Sequence, residues 1–318
     1  MRISVVICTF NPREKYLARV LQALQDQTLP LDQWELLIVD NASKIPVADG
    51  LDLSWHPHGK IIREEKLGKM HAWFKGMSEA KGDVLVFVDD DCVLDLNYLE
   101  QALAIGAEWP FIGAWGGGIS PEFETPPPAW CLDQPWRLTI VEVKEDIWSN
   151  LREGFATVPS GAGMCVRKEV ALRYLEWCRI HEMSNALDRV GNAITGYGDM
   201  NLAHCAIDMG LGTGQSPRLH LTHLIPSSRL TLDYFIRHAE GDAASLMMFR
   251  AIRGLPLKES KQTFLKTIKR KIYKLLSRQP REILEIHEAH QRGLRKGLKM
   301  AKDYLENTSG LKPKADRP

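Results

Sequence analysis

Val84-Leu85-Val86-Phe87-Val88-Asp89-Asp90-Asp91-Cys92 is an apolar, largely β-branched run that stops at three consecutive carboxylates. Such a run has the composition of a strand buried on both faces, the kind that fills parallel sheets. Carboxylates crowded at its end repel one another, by an amount set by the local dielectric. A hard divalent cation removes that cost, and Mg²⁺ is commonly held by one or two carboxylates together with substrate phosphates. The functional reading is a metal site that grips a diphosphate. The plain reading is a solvated acidic turn closing a strand, and the neighbouring segments decide between the two.

Upstream, residues 3–9 (Ile-Ser-Val-Val-Ile-Cys-Thr) read as a first strand. Phe10-Asn11-Pro12-Arg13 is its turn, with Pro12 placed to start a helix. Over 14–27, Leu17, Val20, Leu21 and Leu24 recur at helical spacing. Trp34-Glu35-Leu36-Leu37-Ile38-Val39-Asp40 is a second strand ending in Asp40-Asn41-Ala42-Ser43, and 60–63 is a short third. Gly68-Lys69 opens a helix from about 69 to 80, closed by Lys81-Gly82-Asp83. The β-α-β-β-α-β rhythm predicts an α/β fold with an open, mostly parallel sheet flanked by helices. Ligands in such sheets bind beyond the carboxyl ends of the strands. Thr9, Asp40 and Asp89–Asp91 should therefore converge on one crevice.

Downstream the pattern loosens. A helix near 97–107 precedes Trp115-Gly116-Gly117-Gly118, then a Pro- and Trp-rich stretch at 121–136. Val158–Arg167 reads as a Gly-rich turn feeding a strand, with a helix near 168–181. Gly196-Tyr197-Gly198-Asp199 is a turn capping a helix at 199–209, ended by Gly210. Arg218–His223 alternates like an exposed strand. From about 226 the chain reads as helices, so the expected organisation is a catalytic region at 1–225, a helical basic region at 226–306 and a disordered tail at 307–318. Lys266, Lys269, Arg270, Lys271, Lys274 and Arg278 interleave with apolar residues in a basic amphipathic helix.

With 318 residues and 44% hydrophobic content the chain can bury a sizeable core. A net charge of +1 argues against a general nucleic-acid binder. The six cysteines contain no Cys-x-x-Cys, which points to neither a zinc site nor a disulfide framework and suits a reducing, cytoplasmic compartment. The first residues run straight into a strand pattern without a signal peptide's apolar region. No apolar stretch approaches the ~18–20 residues that span a bilayer.

The succession Val5-Val6-Ile7-Cys8-Thr9-Phe10-Asn11, Val39-Asp40-Asn41-Ala42-Ser43, Gly68-Lys69, Phe87-Val88-Asp89-Asp90-Asp91 and Gly198-Asp199-Met200-Asn201-Leu202 resembles the family 2 glycosyltransferases of the GT-A fold over about residues 1–225. The resemblance implies an inverting, metal-dependent transfer of a sugar from a nucleotide-sugar, UDP-linked most often, to an acceptor hydroxyl in bacterial glycan or polysaccharide synthesis. By it, Thr9, Asn11, Asp40, Lys69 and Asp90 would bind the nucleotide-sugar. Asp40 would accept from a base N–H. Asp89 and Asp91 match the outer acids of the Asp-x-Asp motif that ligates Mg²⁺ or Mn²⁺, and His223 matches a histidine that completes the metal site. Asp199 matches the catalytic base. Three places depart from the pattern, one of them Ala203-His204-Cys205, which stand where an Arg or Trp often follows the acidic motif. Gly198 stands where the family has Glu, and Ala72-Trp73-Phe74 stand where Ala-Arg-Asn is often seen, so one phosphate-binding Arg is missing.

Each site residue also has a plainer reading. Asp199 could be an N-cap, Lys69 a surface lysine, and the tryptophans at 115, 130 and 136 core packing rather than sugar platforms. His220 and His223 lie three apart and point to opposite faces of a strand, so one of them faces the metal, and His223 is the expected one. Imidazole suits Mn²⁺ better than Mg²⁺. The basic helix is either a solvated helix or a dock on anionic lipid that brings the enzyme to a lipid-linked acceptor at the membrane's inner face. A nucleotidyltransferase on the same scaffold would carry a Gly-rich, basic loop after the first strand, which Phe10-Asn11-Pro12-Arg13 fits poorly. A non-catalytic nucleotide-sugar or lipid-binding relative stays open because of Gly198.

Overall fold

The computed structural model describes residues 2–180, 196–257 and 280–308. It begins with β1 (Ile3–Thr9), α1 (Glu14–Gln25), β2 (Trp34–Asp40), β3 (Gly59–Arg63), α2 (Lys69–Glu79) and β4 (Val84–Asp89). β1 lies between β2 and β4 with β3 outside β2, all parallel. Then come β5 (Cys92–Leu94), α3 (Tyr98–Glu108), β6 (Ile112–Phe123), α4 (Ala129–Leu132), β7 (Ile147–Ser149), β8 (Cys165–Arg167) and α5 (Lys168–Ile180). α6 (Gly198–Asp208), β9 (Gly212–Ile225), α7 (Leu232–Ile252) and α8 (Arg281–Thr308) complete the described elements.

Residues alternate between the two faces of the sheet, and both faces are covered. Val5 and Ile7 of β1 and Val84, Val86 and Val88 of β4 meet Leu17, Val20, Leu21 and Leu24 of α1 and Leu99 and Ile105 of α3. Val6, Leu85 and Phe87 point the other way, against Met77 of α2, Val170 of α5 and Leu202 of α6. Each fully buried Leu, Val or Phe contributes about 1.5–3 kcal/mol relative to exposure. That is why β1, β2 and β4 tolerate hardly a polar side chain between their ends.

The sheet is parallel through β3-β2-β1-β4 and mixed beyond, in the order β3-β2-β1-β4-β8-β6-β9-β5 with β7 on β9. β8 runs antiparallel to β4 and β6, and β5 and β7 run antiparallel to β9. A parallel crossover needs a connection of helix length. Only Asp90 and Asp91 separate β4 from β5, so β5 leaves its predecessor and pairs with β9 instead. The expectation of an exposed strand at 218–223 is corrected by the same pairing. Those residues belong to a long interior strand, flanked by β6 and β5, in which Leu219, Leu221 and His223 are buried.

α7 and α8 bury Phe235, Ala239, Ile286 and Ala289 against Cys131, Leu138 and Ile225. α8 includes Asn307 and Thr308, which the sequence reading gave to the tail. The basic stretch from Lys266 to Arg278 and the segment 309–318 lie outside the described residues. Among the described residues no helix is long and apolar enough to cross a membrane.

Candidate active site

The carboxyl ends of β1, β2 and β4 stand side by side, with Thr9 opposite Asp40 and Cys8 opposite Asp89. Their loops are laced into one rim. The Asn11 N–H donates to Ser43 Oγ at 2.8 Å, and Asn11 Oδ1 accepts from the Lys44 N–H at 2.9 Å. This requires φ of 48° at Asn11, a conformation Asn tolerates better than most residues. Asn41 Oδ1 accepts from the Gly68 N–H at 2.8 Å and so ties the loop after β2 to the start of α2.

Asp40 lies behind this rim, 1% exposed. Its carboxylate accepts from the Ser43 N–H at 3.0 Å, the Val47 N–H at 3.1 Å and Arg63 Nη1 at 2.6 Å. Burial alone would raise its pKa, but these bonds from Ser43, Val47 and Arg63 outweigh it and hold the carboxyl below its ordinary value. Asp40 therefore already carries three donors where a base N–H was expected, and it is Arg63 that reaches the surface.

The three acids at the end of β4 face three ways. Asp89 Oδ1 pairs with Lys69 Nζ at 2.7 Å. Asp90 accepts from the Thr9 hydroxyl. Burial, and then the charge of Asp91, push the Asp90 carboxyl up to about 6. Asp91 turns toward β9, 3.0 Å from Arg229 Nη2 and 3.5 Å from His223 Nε2. Burial would raise the Asp91 carboxyl, but the His223 contact and the Arg229 charge hold it well below the usual carboxylate range. Asp91 and His223 meet because Cys92 of β5 opposes His223 of β9, and the Leu224 N–H donates to the Asp91 carbonyl at 2.8 Å. His220 faces away, toward Asp95 and Ser120.

Lys69 and Asp199 line one cleft of about 380 Å³, together with Trp73, Trp136, Ser160 and Gln215. Asp199 sits in the first turn of α6 and is not its N-cap; that position belongs to Tyr197, at φ of 78° and without a side-chain cap. Asp199 Oδ1 accepts from the Met200 N–H at 2.8 Å and Oδ2 from the Gly161 N–H at 3.0 Å. A carboxylate has about four lone-pair sites, so each oxygen keeps one for a further donor. The close approach needs glycine at 161, where a Cβ would stand 2.9 Å from Asp199 Oδ2. At 198 a Cβ would run into Met70 Sδ, so Met70 fills the place a longer side chain would take. Of the three tryptophans weighed as sugar platforms, Trp115 is fully buried and Trp130 packs edge-on against Phe235, whereas Trp136 is 59% exposed on the cleft.

Residues 4–153 match Glycosyl transferase family 2. That stretch is just under half of the chain, 150 of 318 residues. The glycosyltransferase AglE of Haloferax volcanii is 26% identical over 148 residues, 46% of this chain and 47% of that protein. The dolichyl N-acetyl-alpha-D-glucosaminyl phosphate 3-beta-D-2,3-diacetamido-2,3-dideoxy-beta-D-glucuronosyltransferase of Methanococcus voltae is 28% identical over 126 residues, 37% of this chain and 39% of that one. The chain spans less than half the length of these curated relatives. Crystal structures of S. aureus TarS 1–349, alone and in complex with UDP-GlcNAc, align at a TM-score of 0.48 and 13% identity, covering 96% of this chain and 92% of theirs. That likeness is too distant to transfer any residue's role. The family match ends before Asp199, His223 and Arg229, whose roles rest on geometry.

The side chains of Asp91 and His223 suit a divalent cation. His223 Nδ1 lies 2.9 Å from the Leu138 carbonyl, which can only accept, so Nδ1 carries the proton, and Nε2, 3.5 Å from Asp91 Oδ2, accepts from Arg229 Nη1 at 2.8 Å. A second ring nitrogen tied to a backbone carbonyl is the usual support of a metal-ligating histidine. Cys92 Sγ is near both groups, but burial and then the Asp91 charge raise its pKa well above the ordinary value, so it stays a thiol and is no partner for a hard cation. Asp89 does not join this group among the described residues; it faces Lys69.

Two functional candidates escaped the sequence reading, Arg63 and Arg229. No motif marks Arg229. It follows β9 in the turn Pro226-Ser227-Ser228, which Glu124 fixes by accepting from the Ser227 N–H at 2.9 Å and its hydroxyl at 3.1 Å.

Proposed function

We propose that this chain is an inverting glycosyltransferase that moves a sugar from a UDP-sugar to an acceptor hydroxyl. The observation that carries the reading is the one cleft onto which Lys69, at the start of α2, and Asp199, at the start of α6, both open. Lys69 begins α2, so its ammonium and the helix N-terminus both favour a diphosphate there. Arg63, about a third exposed beside Asp40, adds a second cation on the nucleotide side. A divalent cation held by Asp91 and His223, Mn²⁺ suiting the imidazole better than Mg²⁺, would neutralise charge on the leaving diphosphate.

Asp199 acts as general base. Its free lone pair takes the proton of the acceptor hydroxyl while that oxygen bonds to the anomeric carbon. The bond from that carbon to the diphosphate oxygen breaks on the opposite side, so the configuration inverts and UDP leaves. Trp136 offers an apolar face to a sugar ring in the acceptor part of the cleft. A lipid-linked acceptor is part of this reading. It is supported by the dolichyl phosphate substrate in the Methanococcus voltae relative's name and by the basic residues 266–278, each Lys or Arg contributing about 1 kcal/mol at an anionic surface.

The test follows UDP release from a panel of UDP-sugars with Mn²⁺. At least one donor should be turned over by the wild type. Asp199→Asn should lose a factor of ~10²–10⁴ in rate while binding UDP normally. No turnover of any UDP-sugar, or full turnover by Asp199→Asn, refutes the proposal.

A further inference from the structure

We infer that Arg229 holds the cation seat between Asp91 and His223 in the free protein and moves onto the donor's diphosphate when metal and nucleotide bind. It thereby supplies the guanidinium that Ala72-Trp73-Phe74 does not. The inference rests on the donor and metal reading proposed above.

The geometry is exclusive. Arg229 Nη1 lies 2.8 Å from His223 Nε2 and Nη2 lies 3.0 Å from Asp91 Oδ2, while those two acceptors are 3.5 Å apart. A small divalent cation bonded to both would stand about 2.0–2.2 Å from each. That position is in contact with the guanidinium itself, and two cations there would repel. Metal and Arg229 therefore compete for the same pair of atoms. The guanidinium uses both prongs on them, so it acts as a resident substitute for the ion rather than a passing surface contact.

Arg229 is also built to move without the fold moving. Its backbone is fixed, because Leu230 beside it is buried and Glu124 pins Ser227. Its side chain is 32% exposed and has four rotatable bonds, so only the stem has to swing. Once displaced it has lost its carboxylate, and a diphosphate at the same rim is the nearest anion to replace it. The other rim ammonium, Lys69, is already 2.7 Å from Asp89. The exchange makes metal binding weak alone and stronger with nucleotide, a coupling that must be reciprocal.

The test measures free Mn²⁺ by its electron-spin resonance signal, without nucleotide, in the wild type and in Arg229→Gln. Removing the competitor should tighten Mn²⁺ binding by about tenfold. UDP affinity at saturating Mn²⁺ should fall by about tenfold, as one charge-assisted hydrogen bond to phosphate is lost. Arg63→Gln removes a rim cation that touches neither Asp91 nor His223 and should leave Mn²⁺ affinity unchanged. Unchanged or weaker Mn²⁺ binding by Arg229→Gln, or equal tightening in Arg63→Gln, overturns the assignment. Should Arg229→Gln fail to fold, Arg229→Lys carries the same test, with tightening expected and no change contradicting. Failure of the underlying reading looks different: the wild type would then bind UDP without regard to Mn²⁺.

Discussion

The two ends of the same three strands handle buried carboxylates in opposite ways. At the amino ends, Glu35 of β2 is 4% exposed, and its Oε1 accepts from the Ser4 hydroxyl and the Lys81 N–H, both at 2.6 Å. Ser4 Oγ in turn accepts from the Gly82 N–H at 2.8 Å. These donors are neutral and short, two of them part of the backbone, and none can leave. At the carboxyl ends Asp89 and Asp91 are matched by Lys69 and Arg229, and Asp40 by Arg63 in addition to two fixed backbone N–H groups; these long cations have side chains 32%, 32% and 34% exposed. A carboxylate that holds the fold is satisfied by donors fixed in place. One that meets a ligand is satisfied by a partner that can be exchanged.

Glu35→Ala is the strongest way to break this comparison. It strands the Ser4 hydroxyl in a dry site and removes the acceptor of the part-buried Lys81 N–H, at about 1–3 kcal/mol for each unsatisfied group. Denaturant unfolding should register a loss of about 2–4 kcal/mol, with UDP affinity unchanged in the folded variant. A loss below about 0.5 kcal/mol, or a specific loss of UDP binding, would erase the distinction.

A smaller effect sharpens the comparison at the same end. His56 packs edge-on against Trp34 at a centroid distance of 4.1 Å, and its Nδ1 accepts from the His58 N–H at 3.1 Å. Burial, and then the nearby His58, lower its pKa to about 4. In the unfolded chain His titrates near 6.5, so as pH falls the unfolded state takes the proton first. The stability this site contributes is complete above about pH 6.5 and is lost as pH falls through 4, by about 1–3 kcal/mol at most. His56→Gln should flatten that part of the stability profile between pH 6.5 and 4. An unaltered slope would show that His56 is not the group responsible.

Legibility in the sequence followed how local each signal was. β1, β2 and β4 could be read because, Ser4 and Glu35 apart, every residue between their ends is apolar, and the rule that ligands lie beyond the carboxyl ends then located Thr9, Asp40 and Asp89–Asp91. The direction of each acid could not be read. β4 stops at Asp89 and the chain turns at Asp90-Asp91, so Asp89 and Asp91, two apart, do not share a face as they would in a continuing strand. His220 and Thr222 gave Arg218–His223 the look of an exposed strand, because alternation cannot reveal that β5 and β6 cover both edges. The contact of Gly161 with Asp199 and the place of Arg229 depend on pairings between segments remote in the chain. Arg229 in particular comes to Asp91 through the β5–β9 register, for which no sequence period exists.

The most direct test of the central claim, that the rim carboxylates exist to be exchanged onto a metal and its diphosphate, is calorimetric titration of UDP with and without Mn²⁺ into wild type and Asp91→Asn. Wild-type UDP affinity should depend on Mn²⁺, and Asp91→Asn should lose that dependence, with affinity down by about 10–100-fold while its melting temperature stays close to that of the parent. UDP binding in Mn²⁺ that is the same in both proteins would contradict the account.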